Sequence, residues 1–375
     1  MHVLTRPGVP FRPGMRIRSD NGRAEAFRFG GNELTRTSAP RDRRRILVAG
    51  GAGYIGSHLV AALVDQGVDV VVVDNLSTGL AENVRGAELR VLDVADRDGI
   101  GEVLRSGIDL VIHMAASISV PESVASPGRY YCNNVSNSLG LAEACIEAKI
   151  PAVLFSSTAA VYGEPRTALV DEDHPLNPIN PYGCSKAMAE RVLQDVLGAA
   201  GIRLGIMRYF NVAGADPAGR FGPPAVAVAP NLFNSVCAVL AGDRTEFTLY
   251  GDDYPTEDGT CVRDFVHICD LVNAHLKLID HLAFGGESVV LNFGYGRGVS
   301  VRTVVNAAES LSGRRLPVRL VARRPGDAAC VISNPRRFRD KFGQLDAHGT
   351  VRQMLEDTLR WYLHRSRRTV PLSEG

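Results

Sequence analysis

From Arg45 to about residue 212, short unbroken apolar runs alternate with segments whose apolar residues recur every three or four positions. Ile46-Leu47-Val48-Ala49 opens the series and is followed by a glycine-rich turn and a helical pattern over 57–66, which Gly67 stops. Val70-Val71-Val72-Val73 comes next, closed by Asp74-Asn75, and further runs lie at 89–92, 110–112, 152–155, 204–207 and 289–291. Helical patterns occupy 135–148 and 186–197, and a last one occupies 351–363. Strands that are apolar at every position are buried on both faces, so the pattern predicts an α/β fold with a doubly wound parallel sheet. After about residue 212 the alternation weakens and Gly/Pro loops multiply, which predicts a second, smaller C-terminal α/β lobe, with the run near Val289 returning to the main sheet.

The strand–turn–helix at the start carries the first chemical signal. Gly50, Gly53 and Gly56 stand in a G-x-x-G-x-x-G spacing around Tyr54 and Ile55. In such a turn one glycine permits the bend, one lets backbone approach a pyrophosphate, and one lets the helix pack on the strand, while the helix N-terminus aims free N–H groups at the phosphates. Asp74, 24 residues after Gly50, ends the second strand where a carboxylate accepts from adenine ribose hydroxyls. No arginine adjoins Asp74 to take a 2′-phosphate, so NAD is expected over NADP. Asn75, then Asp93-Val94 after the third strand and Met114-Ala115-Ala116 after the fourth, extend the expected cofactor edge. His113 is read as a packed histidine at a strand end.

The fifth strand ends in Ser156-Ser157-Thr158, at the edge where open α/β sheets bind ligands. Downstream, Asn180-Pro181-Tyr182-Gly183-Cys184-Ser185-Lys186 opens a helix on which Tyr182 and Lys186, i and i+4, share a face. A phenol that titrates near 10 needs a neighbouring positive charge to act as a base at neutral pH, and an ammonium and a nicotinamide cation are expected to supply it. Thr158 is expected to bridge the substrate oxygen and the phenol. Composition sharpens this assignment. Of the 42 basic residues only Lys149, Lys186, Lys277 and Lys341 are lysines, so a lysine here marks a place where arginine's planar fork does not serve.

The remaining composition narrows the partners. Forty-two basic against 41 acidic residues leave a net charge of +1, and no apolar run has the length of a membrane span, so neither nucleic acid nor membrane is expected as a partner. Seven cysteines without C-x-x-C spacing read as reduced thiols of a cytoplasmic protein, and nine histidines without ligand spacing give no metal site. The first 45 residues hold eleven arginines, no lysine and only four acids (Asp20, Glu25, Glu33, Asp42). They sustain no hydrophobic period, and Met15 offers a later start. The expected organisation is therefore a disordered basic tail over 1–44 and a Rossmann domain over 45–212 with a returning segment at about 264–296. A substrate lobe over 213–263 and 297–365 and a short tail over 366–375 complete it.

Together Gly50–Gly56, Thr158, Tyr182 and Lys186 resemble the extended short-chain dehydrogenase/reductase family. Longer stretches over 208–215, 250–260, 262–267 and 323–327 are similar to its UDP-glucose 4-epimerase branch, and the likeness covers about 45 to 363. The resemblance implies tightly bound NAD and a UDP-sugar substrate. It also implies a homodimer, through the helices at 135–148 and 186–197, and interconversion of UDP-glucose and UDP-galactose by transient oxidation at C4. It implies that Asn211, Asn231, Leu232, Arg263, Arg324 and Asp327 hold the UDP moiety, with Thr158 and Tyr182 on the sugar. Asn133, Tyr209 and Phe210, with Tyr182 and Lys186, then lie against the cofactor. Two departures matter. Ile118 stands where some members carry a lysine beside the cofactor. Val331 stands where members that reject N-acetylated sugars resemble a tyrosine, which leaves room for UDP-N-acetylglucosamine as an additional substrate. The rivals are another NAD-dependent nucleotide-sugar epimerase, a 4,6-dehydratase and a catalytically silent sensor. The dehydratase is disfavoured because Ala159-Ala160 replaces its acid pair after Thr158, and the sensor because the Thr, Tyr and Lys are intact.

Overall fold

In the computed structural model residues 44–224, 231–324 and 326–369 are described, with side chains to residue 365. Apart from Arg44, the expected N-terminal tail lies outside the described residues. The first half is the predicted alternation: β1 (Arg45–Ala49), α1 (Tyr54–Asp65), β2 (Asp69–Asp74), β3 (Glu88–Val91), α2 (Arg97–Leu104), β4 (Leu110–His113), α3 (Val120–Ala125), α4 (Pro127–Tyr131), α5 (Asn137–Glu147), β5 (Ala152–Thr158), α6 (Pro181–Ala199) and β6 (Arg203–Tyr209). The second half holds β7 (Asn211–Ala213), α7 (Leu232–Leu240), β8 (Phe247–Tyr250), β9 (Val262–His267), α8 (Ile268–Ala283), β10 (Val289–Phe293), β11 (Gly298–Ser300), α9 (Val301–Ser312), β12 (Val318–Val321), β13 (Cys330–Val331), α10 (Arg336–Phe342) and α11 (Val351–Thr369).

Seven strands form one sheet in the order β10-β6-β5-β4-β1-β2-β3, all pairs parallel. The apolar runs are continuous because both faces are covered, and successive residues go to different cores. Ile46, Val48, Val70, Val72, Leu110, Ile112 and Leu154 join the cluster under α1, α7 and α8. Leu47, Ala49, Val71, Val73, Val111, Val153 and Phe155 join the cluster under α2, α5 and α6. Register aligns Ala49 with Val73 and His113, His113 with Phe155, and Thr158 with Tyr209. The carboxyl ends of the strands therefore make one edge, and the order reverses between β1 and β4, where such sheets bind ligands.

The chain leaves this sheet at β7, which pairs with β9. β9 also pairs with β11 and β13, and β8 pairs with β12 in a separate ribbon. It returns through α8 and β10, the latter pairing with β6. The closing helix α11 extends to Thr369, six residues past the predicted end at 363, into the stretch expected as a tail. Helix α6 begins at Pro181, because Asn180 caps it and proline suits the first helical position.

Candidate active site

The glycine turn has the geometry its spacing requires. Gly50 has φ +85°, and a Cβ there would come within 2.6 Å of the Ala115 backbone nitrogen. A Cβ on Gly56 would come within 2.2 Å of the Gly50 carbonyl oxygen, so α1 packs directly on the strand end. Gly53 is different: a Cβ would meet nothing closer than 3.4 Å, and the residue caps α1 with no side-chain hydrogen bond. Its position leaves the first-turn N–H groups of α1 open to an anion, which is the cradle a pyrophosphate needs. Asp74 accepts from the Ala52 N–H (2.9 Å) and the Leu76 N–H (2.9 Å), and burial raises its pKa. Its oxygens keep lone pairs for a diol. Asn75 donates to Asp93 (2.8 Å), which ties the ends of β2 and β3 together. Val94 is buried in the core. Met114, Ala115 and Ala116 follow β4 beside Gly50, with the Met114 N–H bound to the Ala49 carbonyl (2.8 Å). Tyr54 reaches across to donate to the Gly214 carbonyl (2.5 Å), and Ile55 packs on the core. These residues fit a dinucleotide.

Two strands away, Thr158 and Tyr182 meet, with Lys186 one turn further along α6. The Asn180 side chain accepts from the Gly183 N–H (2.9 Å), which sets Tyr182 in the first turn of α6. A Cβ on Gly183 would lie 2.4 Å from the Ala160 carbonyl, so the glycine lets α6 close onto the turn after β5. Thr158 Oγ1 accepts from the Ala160 N–H (3.2 Å), which leaves its own proton for the hydrogen bond it makes to the Tyr182 phenol. Tyr130 packs edge-on against Tyr182, ring centroids 6.4 Å apart, and is itself anchored by donating to Glu122 (2.9 Å). Tyr209, beside Thr158 in register, bonds Ser156, and the Tyr182 and Tyr209 phenols interact electrostatically.

The electrostatics differ from the expectation. Burial raises the Tyr182 pKa, opposed only by the Thr158 hydrogen bond. Lys186, 3 % exposed and seated 4.3 Å over the Phe155 ring, is pulled from 10.5 to about 7 by burial, with Glu190 opposing. The protein alone therefore does not make the phenol acidic: desolvation is the largest influence on both groups.

Several residues that pattern reasoning missed hold this site. Between α4 and α5 the chain makes a π-helical turn, Cys132–Ser136, a feature concentrated at functional sites. Asn133 there donates to Ser117 Oγ (3.1 Å). Asn134 accepts from the Ser117 N–H (2.8 Å) and donates to the Ser117 carbonyl (3.0 Å) and to Ser185 on α6 (3.0 Å), which clamps the loop after β4 to the helix carrying Tyr182. His113 is buried as expected. Ser138 donates to the Asn134 carbonyl (2.7 Å), so it accepts from His113 Nε2 (2.8 Å), leaving His113 neutral with Nδ1 unpartnered. One turn beyond Lys186, Glu190 takes Arg208 of β6 through both oxygens, with the Nη2 contact at 2.6 Å, and also accepts from Ser157. Arg208 continues to Tyr162 (3.0 Å), which donates to Asn292 (2.7 Å). The only signal for this group in the sequence was the third step of the Tyr182–Lys186 ladder.

The expected substrate residues lie on the second lobe. Asn231 caps α7 by accepting from the Asn234 N–H (2.8 Å), with Leu232 the first helical residue. Asn211 is exposed on β7, next to Phe265 of β9. Arg263 of β9 pairs with Asp327 (3.4 Å), and Arg324, a turn before Asp327, stacks 3.7 Å over Tyr250. Phe210 and Val331, both buried, share a small cluster with Ala159, next to Thr158. Ile118 is 59 % exposed. Among the described residues, no group of three or more His, Cys, Asp or Glu side chains is arranged to hold a metal ion.

Residues 46–294 match the family model described as the NAD dependent epimerase/dehydratase family. A UDP-glucose 4-epimerase of Azospirillum brasilense is 47% identical over 319 residues, 84% of this chain and 91% of that protein. Among solved structures, a UDP-glucose-4-epimerase from Stenotrophomonas maltophila with bound NAD and formylated UDP-arabinopyranose superimposes with TM-score 0.83 at 34% identity, covering 87% of this chain and 100% of the other. One from Bifidobacterium longum in complex with NAD+ and UDP gives TM-score 0.81 at 35% identity, covering 86% and 99%.

Proposed function

The chain belongs to the NAD dependent epimerase/dehydratase family, and from that membership we propose that it interconverts UDP-glucose and UDP-galactose. The observation that carries the reading is the hydrogen bond between Thr158 and Tyr182, with Lys186 one turn along α6 over Phe155, at the strand edge that also carries the glycine cradle. Gly50, Gly53, Gly56 and Asp74 would hold NAD, which would supply a reversible hydride acceptor for C4 and a positive charge that favours the Tyr182 phenolate.

Tyr182 takes the proton of the sugar 4-hydroxyl and later gives it back. Thr158, hydrogen-bonded to the phenol, sets the distance between that oxygen and the substrate. Lys186 one turn away stabilises the phenolate and lies against the cofactor. Asn211, Asn231, Leu232, Arg263, Arg324 and Asp327 hold the UDP end. A clamp confined to that end leaves the hexose free to turn and present its other face. Arg263 must exchange Asp327 for a phosphate, a charge-assisted contact of the stronger kind. The division of labour follows the folds: residues 45–212 with the return at about 264–296 for NAD, and 213–263 with 297–365 for the nucleotide sugar.

Two further features support the setting. All seven cysteines are free, as in a reducing cytoplasm, and no helix among the described residues is long and apolar enough to cross a membrane. Ile118, Val124 and Met188, on or beside α3 and α6, are at least half exposed and supply apolar surface for a homodimer. On the helices the resemblance pointed to, Ala142, Cys145, Ala189 and Leu193 are spent in the core. Light scattering of the pure protein tests the dimer. Function is tested by supplying UDP-galactose without added NAD to wild type and to Tyr182→Phe. Wild type should form UDP-glucose and the variant should not. Full activity in the variant would overturn the reading.

A further inference from the structure

Lys186 is buried where water does not reach, which disfavours its ammonium, yet the role read for it needs that charge. The Phe155 ring lies beneath it, and His113 from β4 is neutral. The elements packed on α6 present Tyr130 and Tyr131 of α4, Glu122 of α3 (committed to Tyr130 and Arg129), Cys145 of α5, Tyr162 after β5, and Arg208 and Tyr209 of β6. Tyr182 shares its own helix face, and the acid on that face is Glu190, one turn further along, seated on Ser157 as Lys186 is seated on Phe155 two residues earlier in β5; its charge opposes the effect of burial on the lysine. Glu190 is 1 % exposed and cannot wander, because Arg208 grips both its oxygens and Ser157 donates to one.

We propose that Glu190 is a positioning residue for the proton transfer: anchored by Arg208 and Ser157, it is the fixed counter-charge that keeps Lys186 an ammonium at working pH. The inference rests on the reading of Tyr182 and Lys186 as the proton-transfer pair. Its physical content is a sign. Burial disfavours the ammonium and Glu190 favours it, so neutralising Glu190 lets Lys186 lose its proton at lower pH, and the support for the Tyr182 phenolate goes with it. Removing only the carboxylate also leaves the Arg208 charge unbalanced. The effect is therefore largest in Glu190→Gln and smaller, in the same direction, when Arg208 is neutralised too.

The chain's four lysines make this directly readable. Protein labelled with ¹³Cε-lysine gives four signals, and that of Lys186 is the one absent from Lys186→Met. In wild type its midpoint should lie below those of the other three. In Glu190→Gln it should fall further, by about one pH unit or more, and the alkaline limb of kcat should move with it. Glu190→Asp should restore most of the shift. Should Glu190→Gln not fold, the Glu190→Gln/Arg208→Met double variant removes the unpaired buried arginine, and its Lys186 signal should still titrate below the wild-type pH. A Lys186 signal at the wild-type pH in either folded variant overturns the proposal, whatever happens to turnover. Activity surviving in Tyr182→Phe would instead overturn the reading of the pair, and the lysine titration would still report on Glu190.

Discussion

Gly183→Ala separates stability from catalysis. The added Cβ would sit 2.4 Å from the Ala160 carbonyl oxygen and 2.9 Å from Pro178 Cβ. Ordinary contact needs about 3.5 Å, so the first turn of α6 must move away from the β5 turn by about 1 Å. Backbone shifts of that kind cost about 1–3 kcal/mol, and alanine in a helix returns about 1 kcal/mol relative to glycine, so the net loss of stability should be small, about 0–2 kcal/mol. The catalytic loss should not be small. Tyr182 precedes the glycine and bonds Thr158, which sits on the turn that α6 must leave. A misplacement of about 1 Å in a reacting group costs about 100-fold in rate. Tyr182 moves with α6 while the glycine cradle, on α1, does not, so bound nucleotide should be retained. The assay pairs thermal unfolding and the nucleotide content of the purified protein with kcat on UDP-galactose. A folded variant with wild-type kcat would refute the argument that glycine is present to let the helix close.

Gly56→Ala should show the opposite selectivity, losing bound nucleotide because its Cβ would lie 2.2 Å from the Gly50 carbonyl oxygen and push α1 off the strand end; nucleotide released on denaturation measures this. The Asp270–His348 pair (2.9 Å) holds the carboxyl below its usual pKa and the imidazole above its own, the hydrogen bond being His348's first cause. Its contribution is fully present between about pH 4 and 6.5, and falls away as pH drops through the depressed Asp270 value or rises through the raised His348 value. The melting-temperature difference between wild type and His348→Ala should therefore be largest in that window and shrink by pH 9; a pH-independent difference would refute it. UDP-N-acetylglucosamine should be a substrate, and Val331→Tyr, which adds bulk beside Phe210 and Ala159, should cut its turnover at least about tenfold relative to UDP-glucose, as competition assays would show.

What was legible in the sequence follows from what is local. Val70–Val73 could be read as a doubly buried strand, and Gly50–Gly56 as a phosphate turn, because neighbours along the chain set both properties. The Tyr182–Lys186 spacing needed only the helical period. Asn134 was not legible, because its worth lies in reaching Ser117 and Ser185 at once, 17 and 51 residues away. Arg208 was quoted for resemblance and not for chemistry, since a lone arginine on a strand says nothing until Glu190 and Tyr162 close around it. The start of α6 was legible as well: Asn180-Pro181 is a cap followed by proline.

The acidity of Tyr182 shows the deeper limit. Spacing places an ammonium beside a phenol, and from spacing alone attraction dominates, so the phenol should be acidic. Spacing carries no dielectric. Folding buries both groups, and burial penalises phenolate and ammonium alike, which raises one pKa and lowers the other. The phenol is driven further from neutrality and the lysine towards it, and no single charge holds the phenolate. A base arranged this way is weak until another positive charge comes to the same edge, and a dinucleotide whose pyrophosphate sits on the glycine cradle two strands away would bring one in its nicotinamide. On the proposed reading, proton removal is conditional on a full cofactor site, and the condition is written in the burial of Tyr182 and Lys186.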